Sequence, residues 1–268
     1  MSVDVSERQR LIRERVLAEG EIEFATLATE FGVSEMTIRR DIDLLESEGI
    51  VRRVIGGAIA LGKTAEPPFR ARSNIEAVGK KHIAEAAVTR LSAHETVLLD
   101  SGSTALAIAR AIHGRGLELT VITPSVLVAV ELVDEPGTTV LLAGGHVRAG
   151  ELSLIGAETT EFFSRYNCDT FVMGVAGVDT KHGFSDYHRE ESAVKRAAIR
   201  AADRLVVVAD HTKLGRTHLV NIAPLSAADI LVTDGDPHHE VITTAAADGV
   251  EIVSVEPRYS LPGRSATT

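Results

Sequence analysis

An α/β protein in two parts is what the 268-residue sequence predicts: a small N-terminal winged helix-turn-helix unit, then a larger, Rossmann-like and mostly parallel α/β domain. Three observations carry this. Up to about residue 61, short helical patterns alternate with tight turns. The stretch from Gly62 to Pro68 then interrupts all periodicity. Beyond it, seven β-rich apolar runs (TVLLD, LTVIT, TVLLAG, CDTFVMGVAG, RLVVVAD, DILVTD and VEIVSV) are separated by helical patterns, as in a mostly parallel sheet buried on both faces. The expected divisions are 1–61 for the winged unit, 62–74 for a linker, 75–257 for the α/β domain and 258–268 for a disordered polar tail.

In the first unit, Ile12 and Val16 lie one helical turn apart, and Phe24, Leu27, Ala28 and Phe31 repeat at helical spacing, so two short helices each show one apolar stripe. Gly32 breaks the second. Ser34 is placed to cap a third helix from Glu35 to about Glu48, which Gly49 closes. Ile38, Ile42 and Leu45 share one face of that helix, which turns Met36, Thr37 and Arg40 to the other, with Arg39 on the flank. The segment IVRRVIGGAIAL reads as a hairpin around Gly56-Gly57 that carries Arg52 and Arg53.

Composition narrows what these parts can do. The formal net charge of −10 argues against coating nucleic acid indiscriminately, so DNA contact is confined to local basic clusters such as Arg39, Arg40, Arg52 and Arg53. A helix presenting Thr and paired Arg suits the major groove, where Arg engages guanine edges bidentately. The candidate DNA-contacting residues are Ser34, Met36, Thr37, Arg39, Arg40, Arg52 and Arg53. The bland alternative is a three-helix bundle whose arginines pair with Asp43 and its neighbours on a solvated face.

The string VSEMTIRRDIDLLESEGIVRRVIGGAI separates these readings, because it closely resembles the DeoR family of bacterial regulators. Ser34, Thr37, Ile38, Arg39, Arg40, Asp41, Leu45, Glu46, Gly49, Arg53, Gly56, Gly57 and Ala58 match the family pattern. Ile55 departs from it, standing where the family usually has His.

In the second part, TVLLD ends at Asp100 and is followed by Ser101, Gly102, Ser103 and Thr104 and then a helical pattern. Free amides at a helix start, small hydroxyls and a glycine that permits close approach together make a phosphate cradle. Ligands of open α/β sheets collect where strands end, which adds Gly144 and Gly145, Asp179, and the turn from Asp210 to Lys213, whose ammonium suits an anion. Each has an ordinary reading too: glycines for turns, Asp for caps, Lys for a solvated face. Taken with LLAGGHVRAGELSLIG, EESAVKRAAI and VVVADHTKLG in the family's order, these pieces extend the resemblance over nearly the whole chain. It implies a sensor domain similar in fold to ribose-5-phosphate isomerase, with Asp100 on a sugar hydroxyl, Ser101 to Thr104 on the phosphate, Lys213 on the anion and Asp179 at the same crevice. Pro124, where many relatives have Asn, prevents carrying over the effector's identity.

The expected function is a transcriptional regulator, in the family most often a repressor, whose operator affinity responds to a phosphorylated sugar. Its expected partners are double-stranded operator DNA, the sugar phosphate and further copies of itself, as a homodimer or homotetramer matched to two-fold half-sites. The rival class is an isomerase using Glu190 or Glu191 as base. No metal or cofactor is expected, because His182, His188, His211, His218, His238 and His239 fit no ligand spacing and Cys168 is the only cysteine. No apolar run approaches the roughly 18 residues of a membrane helix, and MSVDVSERQR lacks a signal peptide's apolar core, so a cytoplasmic protein is expected.

Overall fold

The computed structural model describes residues 4–19, 21–47, 50–60, 66 and 68–255. The expected helix stop at Gly49, Gly62 to Ala65 and Pro67 of the expected linker, and the expected tail lie outside these residues.

The first unit runs α1 (Val5–Glu19), β1 (Glu21–Glu23), α2 (Phe24–Phe31), α3 (Glu35–Ser47), β2 (Val51–Val54) and β3 (Gly57–Ala60). The apolar stripes read from the sequence meet in one core: Ile12 and Val16 of α1, Phe24, Leu27 and Phe31 of α2, and Ile38, Ile42 and Leu45 of α3 are buried together with Val51 and Ala58. Each fully buried Val, Leu, Ile or Phe side chain among these contributes about 1.5–3 kcal/mol. Gly32, left-handed at φ 62°, ends α2 as expected.

Two details differ from expectation. β1, only three residues long and too short for periodicity to reveal, pairs antiparallel with β3 and makes the wing three-stranded. The wing's turn is formed by Ile55 and Gly56 rather than by Gly56 and Gly57, because Gly57 is already paired in β3. A Cβ on Gly57 would stand 2.2 Å from the Ile22 carbonyl, so the second glycine serves the close approach of β1, while Gly56 takes the positive φ of 80°.

The second part opens on α4 (Phe69–Asn74), so the end of the expected linker is helical. α5 (Ala77–Val88), β4 (Thr96–Leu99), α6 (Ser103–Ile112), β5 (Thr120–Thr123), α7 (Val126–Leu132) and β6 (Thr139–Leu142) follow. Next come β7 (His146–Arg148), β8 (Ser153–Ile155), α8 (Ala157–Phe163), β9 (Cys168–Gly174), β10 (Gly177–Asp179), β11 (Gly183–Asp186) and α9 (Arg189–Arg200). β12 (Ala202–Ala209), β13 (Val220–Ala223), β14 (Ile230–Thr233), α10 (Glu240–Ala247) and β15 (Glu251–Ser254) complete the described chain.

All seven apolar runs form one parallel sheet, in the order β15-β14-β12-β9-β4-β5-β6. Its strands alternate between two cores: Val97 and Leu99 of β4 face Ile83, Ile108 and Val128 of α5, α6 and α7, whereas Leu98 faces Phe163 and Val194 of α8 and α9 and Val241 of α10. Helices therefore cover both faces, as a fully buried parallel sheet requires. Numbered by appearance, the sheet's first three strands run outward one way and the rest the other, which is the doubly wound order with its switch point between β4 and β9. A small antiparallel sheet, β10-β11-β13, and the β7-β8 hairpin stand apart from it.

Candidate functional site

On α3, Ile38, Ile42, Leu45 and Asp41 are buried, whereas Met36 and Arg40 are exposed on the opposite side. Asp41 holds the helix in place: Arg8 Nε donates to it at 2.7 Å and Gln9 Nε2 at 2.9 Å, locking α1 to α3. Ser34 caps the helix, its Oγ accepting from Thr37 N at 3.2 Å and lying 3.0 Å from Thr37 Oγ1. Arg39 lies over the Phe24 ring, 5.1 Å from its centroid, and 3.7 Å from Glu35. Arg53 is paired with Asp43, and its N–H donates to Glu46 at 2.8 Å, so it fastens the wing to α3. Arg40 and Arg52 are exposed and make no ion pair among the described residues.

In the second part a cleft of about 580 Å³, counted to its open mouth, lies at the switch point. The ends of β4 and β9 meet there, so Ser101, Gly102, Ser103 and Thr104 face Gly174, Val175 and Ala176. Gly102 has φ 96° and begins α6, whose first amides have no partner within the helix. Arg72, Lys80, Lys195 and Lys213 bring four cations to the lining; Glu66, Glu151, Asp186 and Glu191 bring four carboxylates, and Tyr187 completes it.

Asp100 lies beneath this lining rather than in it. Its Oδ2 accepts from Gly174 N at 3.0 Å and from Lys195 Nζ, so it joins the two strands at the switch point and anchors the lysine. Lys195 also donates to the Gly174 carbonyl at 2.8 Å and stands 3.4 Å from Asp186. Burial disfavours its charge, but Asp100, Asp186 and Glu191 more than offset this and raise its pKa above the ordinary lysine value. Burial pushes the Asp100 carboxyl up in spite of Lys195.

Lys80 donates to the carbonyls of Arg72 and Ile75, the latter at 2.7 Å, and burial lowers its pKa to about 8. Burial lowers Lys213 as well; it sits on the turn after β12 that Asp210 caps through Thr212 N at 3.0 Å. Tyr187 is pushed up to about 12 by burial. Glu191 accepts from Ser153 Oγ at 2.6 Å and Arg148 Nη1 at 2.8 Å. Burial opposes its charge, but these partners hold its pKa below the usual carboxylate value. Glu190 is exposed and is not part of the lining.

Besides Asp100, three residues expected at the crevice are placed elsewhere. Gly144 and Gly145 pack against α8: Thr159 Oγ1 donates to the Gly144 carbonyl at 2.7 Å, and a Cβ on Gly145 would stand 2.1 Å from that hydroxyl. Asp179 caps the β10-β11 turn through Lys181 N at 3.0 Å and His182 N at 2.9 Å. The chain beyond β9 runs out into this hairpin and returns along β11, so Asp186 arrives at the cleft in its place. Pro124 does not line the cleft; its carbonyl accepts from Leu154 N at 2.7 Å. Arg72 and Lys80 carry no signal in the sequence beyond being basic residues, and Lys195 appears there only within the string EESAVKRAAI.

A winged helix-turn-helix unit on one chain with a charged cleft at the switch point of a doubly wound sheet defines the class of ligand-responsive transcriptional regulators. Residues 8–64 match the DeoR-like helix-turn-helix domain and residues 75–235 the DeoR C terminal sensor domain. The chain belongs to the DeoR family. It is 30% identical over 253 residues to a putative aga operon transcriptional repressor of Escherichia coli O157:H7, covering 93% of this chain and 94% of that one. It is 29% identical over 232 residues to the glycerol-3-phosphate regulon repressor of Escherichia coli K12, covering 87% and 92%. Among solved structures, ribose 5-phosphate isomerase A of Methanocaldococcus jannaschii is similar at 17% identity and a TM-score of 0.38, over 50% of this chain and 53% of that one. No helix among the described residues is long and apolar enough to cross a membrane.

Proposed function

We propose that the chain is a cytoplasmic repressor of carbohydrate-metabolism genes that binds operator DNA through α3 and the wing and releases it when a phosphorylated sugar enters the cleft. The observation that carries this is the cleft itself: hydroxyls and open helix amides at Ser101 to Thr104 face Arg72, Lys80 and Lys213. Donors of this kind suit a phosphate, and the carboxylates suit the hydroxyls of a sugar. The names of the relatives, repressors of an aga operon and of a glycerol-3-phosphate regulon, point the same way. Met36, Thr37 and Arg40 read bases, Arg52 meets phosphates, and Ser34, Arg39 and Arg53 hold these elements in position. It acts as a homodimer or homotetramer, since one recognition helix covers a half-site.

Mobility shift of DNA from upstream of its own gene, at fixed salt and with a panel of sugar phosphates, tests the whole reading. A specific complex released by one sugar phosphate is expected; absence of any specific complex overturns it. The isomerase alternative is weaker because Glu191 has both oxygens engaged and a lowered pKa, whereas a catalytic base is best matched near the working pH. Incubation with pentose and hexose phosphates is expected to show no turnover.

Two further outcomes follow from the lining. Lys213→Ala should weaken the response to effector at least severalfold and leave DNA affinity without effector unchanged, by the same assay. Phosphate affinity should be nearly level from about pH 7 toward 8 and fall above that, because Lys80 in the free protein loses its proton there and a bound dianion raises its pKa. The second ionisation of a phosphate monoester, near 6, is already complete in that range. Calorimetric titrations at about pH 7 and 9 check the sign, and an affinity that rises with pH refutes it.

A further inference from the structure

A phosphate that enters the cleft meets charges that already cancel, since the four lysine and arginine side chains of the lining stand against four carboxylates. Adding a dianion to such a partly buried, balanced site is unfavourable unless a carboxylate gives way. Three of the four belong to the α/β domain themselves. Asp186 accepts from Tyr187 N at 2.8 Å and faces Lys195, Glu191 is fixed by Ser153 and Arg148, and Glu151 is paired with Arg72.

Glu66 differs from these. It lies between the last residue matched as helix-turn-helix, 64, and the first matched as sensor, 75. From that segment its carboxylate bridges two guanidiniums, with one oxygen on Arg72 Nη1 and the other 2.7 Å from Arg148 Nη2. Two acceptor oxygens shared between two arginines is the arrangement a phosphate also makes. Arg72 keeps Glu151 as a partner if Glu66 leaves.

We propose that Glu66 is an intramolecular occupant of the anion position, displaced from Arg72 and Arg148 by the phosphate of the effector, so that occupancy of the cleft is passed to the segment joining the two domains. This rests on the reading of the cleft as a phosphate site. A ligand shifts a conformational equilibrium only through contacts that differ between its two states, and competition for Arg72 supplies such a difference.

The test is calorimetric titration of the full chain with inorganic phosphate, for the wild type, Glu66→Gln, Arg72→Gln and the double variant. Glu66→Gln is expected to bind about tenfold more tightly, with the gain abolished when Arg72 is also replaced. An unchanged or weaker affinity in Glu66→Gln overturns the exchange, as does a gain that persists without Arg72, which would be a general charge effect. Thermal unfolding checks folding; should Glu66→Gln fail to fold, Glu66→Asp, with its shorter reach, is expected to show a smaller gain of the same sign. Failure of the wild type and of Glu66→Gln to bind phosphate or any sugar phosphate of the panel would instead overturn the phosphate-site reading itself. In the mobility shift, Glu66→Gln without ligand should behave as the effector-saturated wild type does, and wild-type behaviour without ligand overturns the transmission step.

Discussion

Arg40→Ala is expected to lose specific operator binding, with the ratio of specific to nonspecific affinity falling roughly 5- to 150-fold, while phosphate binding in the cleft is unchanged. A bidentate Arg–guanine contact contributes about 1–3 kcal/mol of discrimination, which sets that range. Of the two exposed arginines that make no ion pair among the described residues, Arg40 and Arg52, only Arg40 stands on α3. Arg39 is stacked over Phe24 and near Glu35, and Arg53 is tied to Asp43, so replacing either disturbs the elements that these residues hold in position. Arg40 is exposed on the side of α3 opposite Ile38 and Ile42 and makes no ion pair among the described residues. Its removal should therefore change folding stability by no more than about 0.5 kcal/mol, and the loss would report on DNA alone. Fluorescence anisotropy with operator and scrambled duplexes at one salt concentration distinguishes the outcomes. Equal weakening on both would move Arg40 to the phosphate backbone, and an unchanged ratio would remove it from recognition.

The α/β sheet was legible because a parallel strand covered on both faces must be apolar at consecutive positions, as LVVV at 205–208 is. Each of the seven runs carried that signature, and each became a strand of the sheet. The three-residue β1 and β10 are below the length at which alternation can be seen, and the position of the wing turn depended on an approach between Gly57 and Ile22 across 35 residues of chain.

The site was legible where it is local. Ser101 to Thr104 form one loop at one strand end, so strand, turn and helix start could be read together. The remainder is assembled over long separations, such as Glu66 with Arg148 and Asp100 with Lys195, 82 and 95 residues apart. Gly144, Gly145 and Asp179 show the converse. Each follows a strand end in sequence, but packing against Thr159 or a hairpin turn claims it before it reaches the cleft.

The pair that Lys195 of the lining forms with Asp100 beneath it carries the largest expected effect on stability. Lys195→Met should destabilise the chain by about 3–5 kcal/mol, because it leaves Asp100 buried without its cation. For a domain of this size that corresponds to a fall of roughly 6–20 °C in Tm. Burial already pushes the Asp100 carboxyl up while Lys195 is its main opposing influence, so in the variant the folded-state pKa rises further above the unfolded value. A carboxyl shifted in that direction adds stability that is fully present below the unfolded pKa and is lost as pH rises through the folded one. The deficit of the variant should therefore be smaller at about pH 5 than at pH 8. Asp100→Asn in the same chain should recover part of the loss, since the amide oxygen can still accept from Gly174 N while the unpaired charge is gone. Thermal unfolding of the two variants at both pH values decides the matter. If Lys195→Met matches the wild type at pH 8, the lysine contributes nothing net to folding. If the deficit is real but independent of pH, lost packing around the alkyl stem outweighs the unpaired carboxylate.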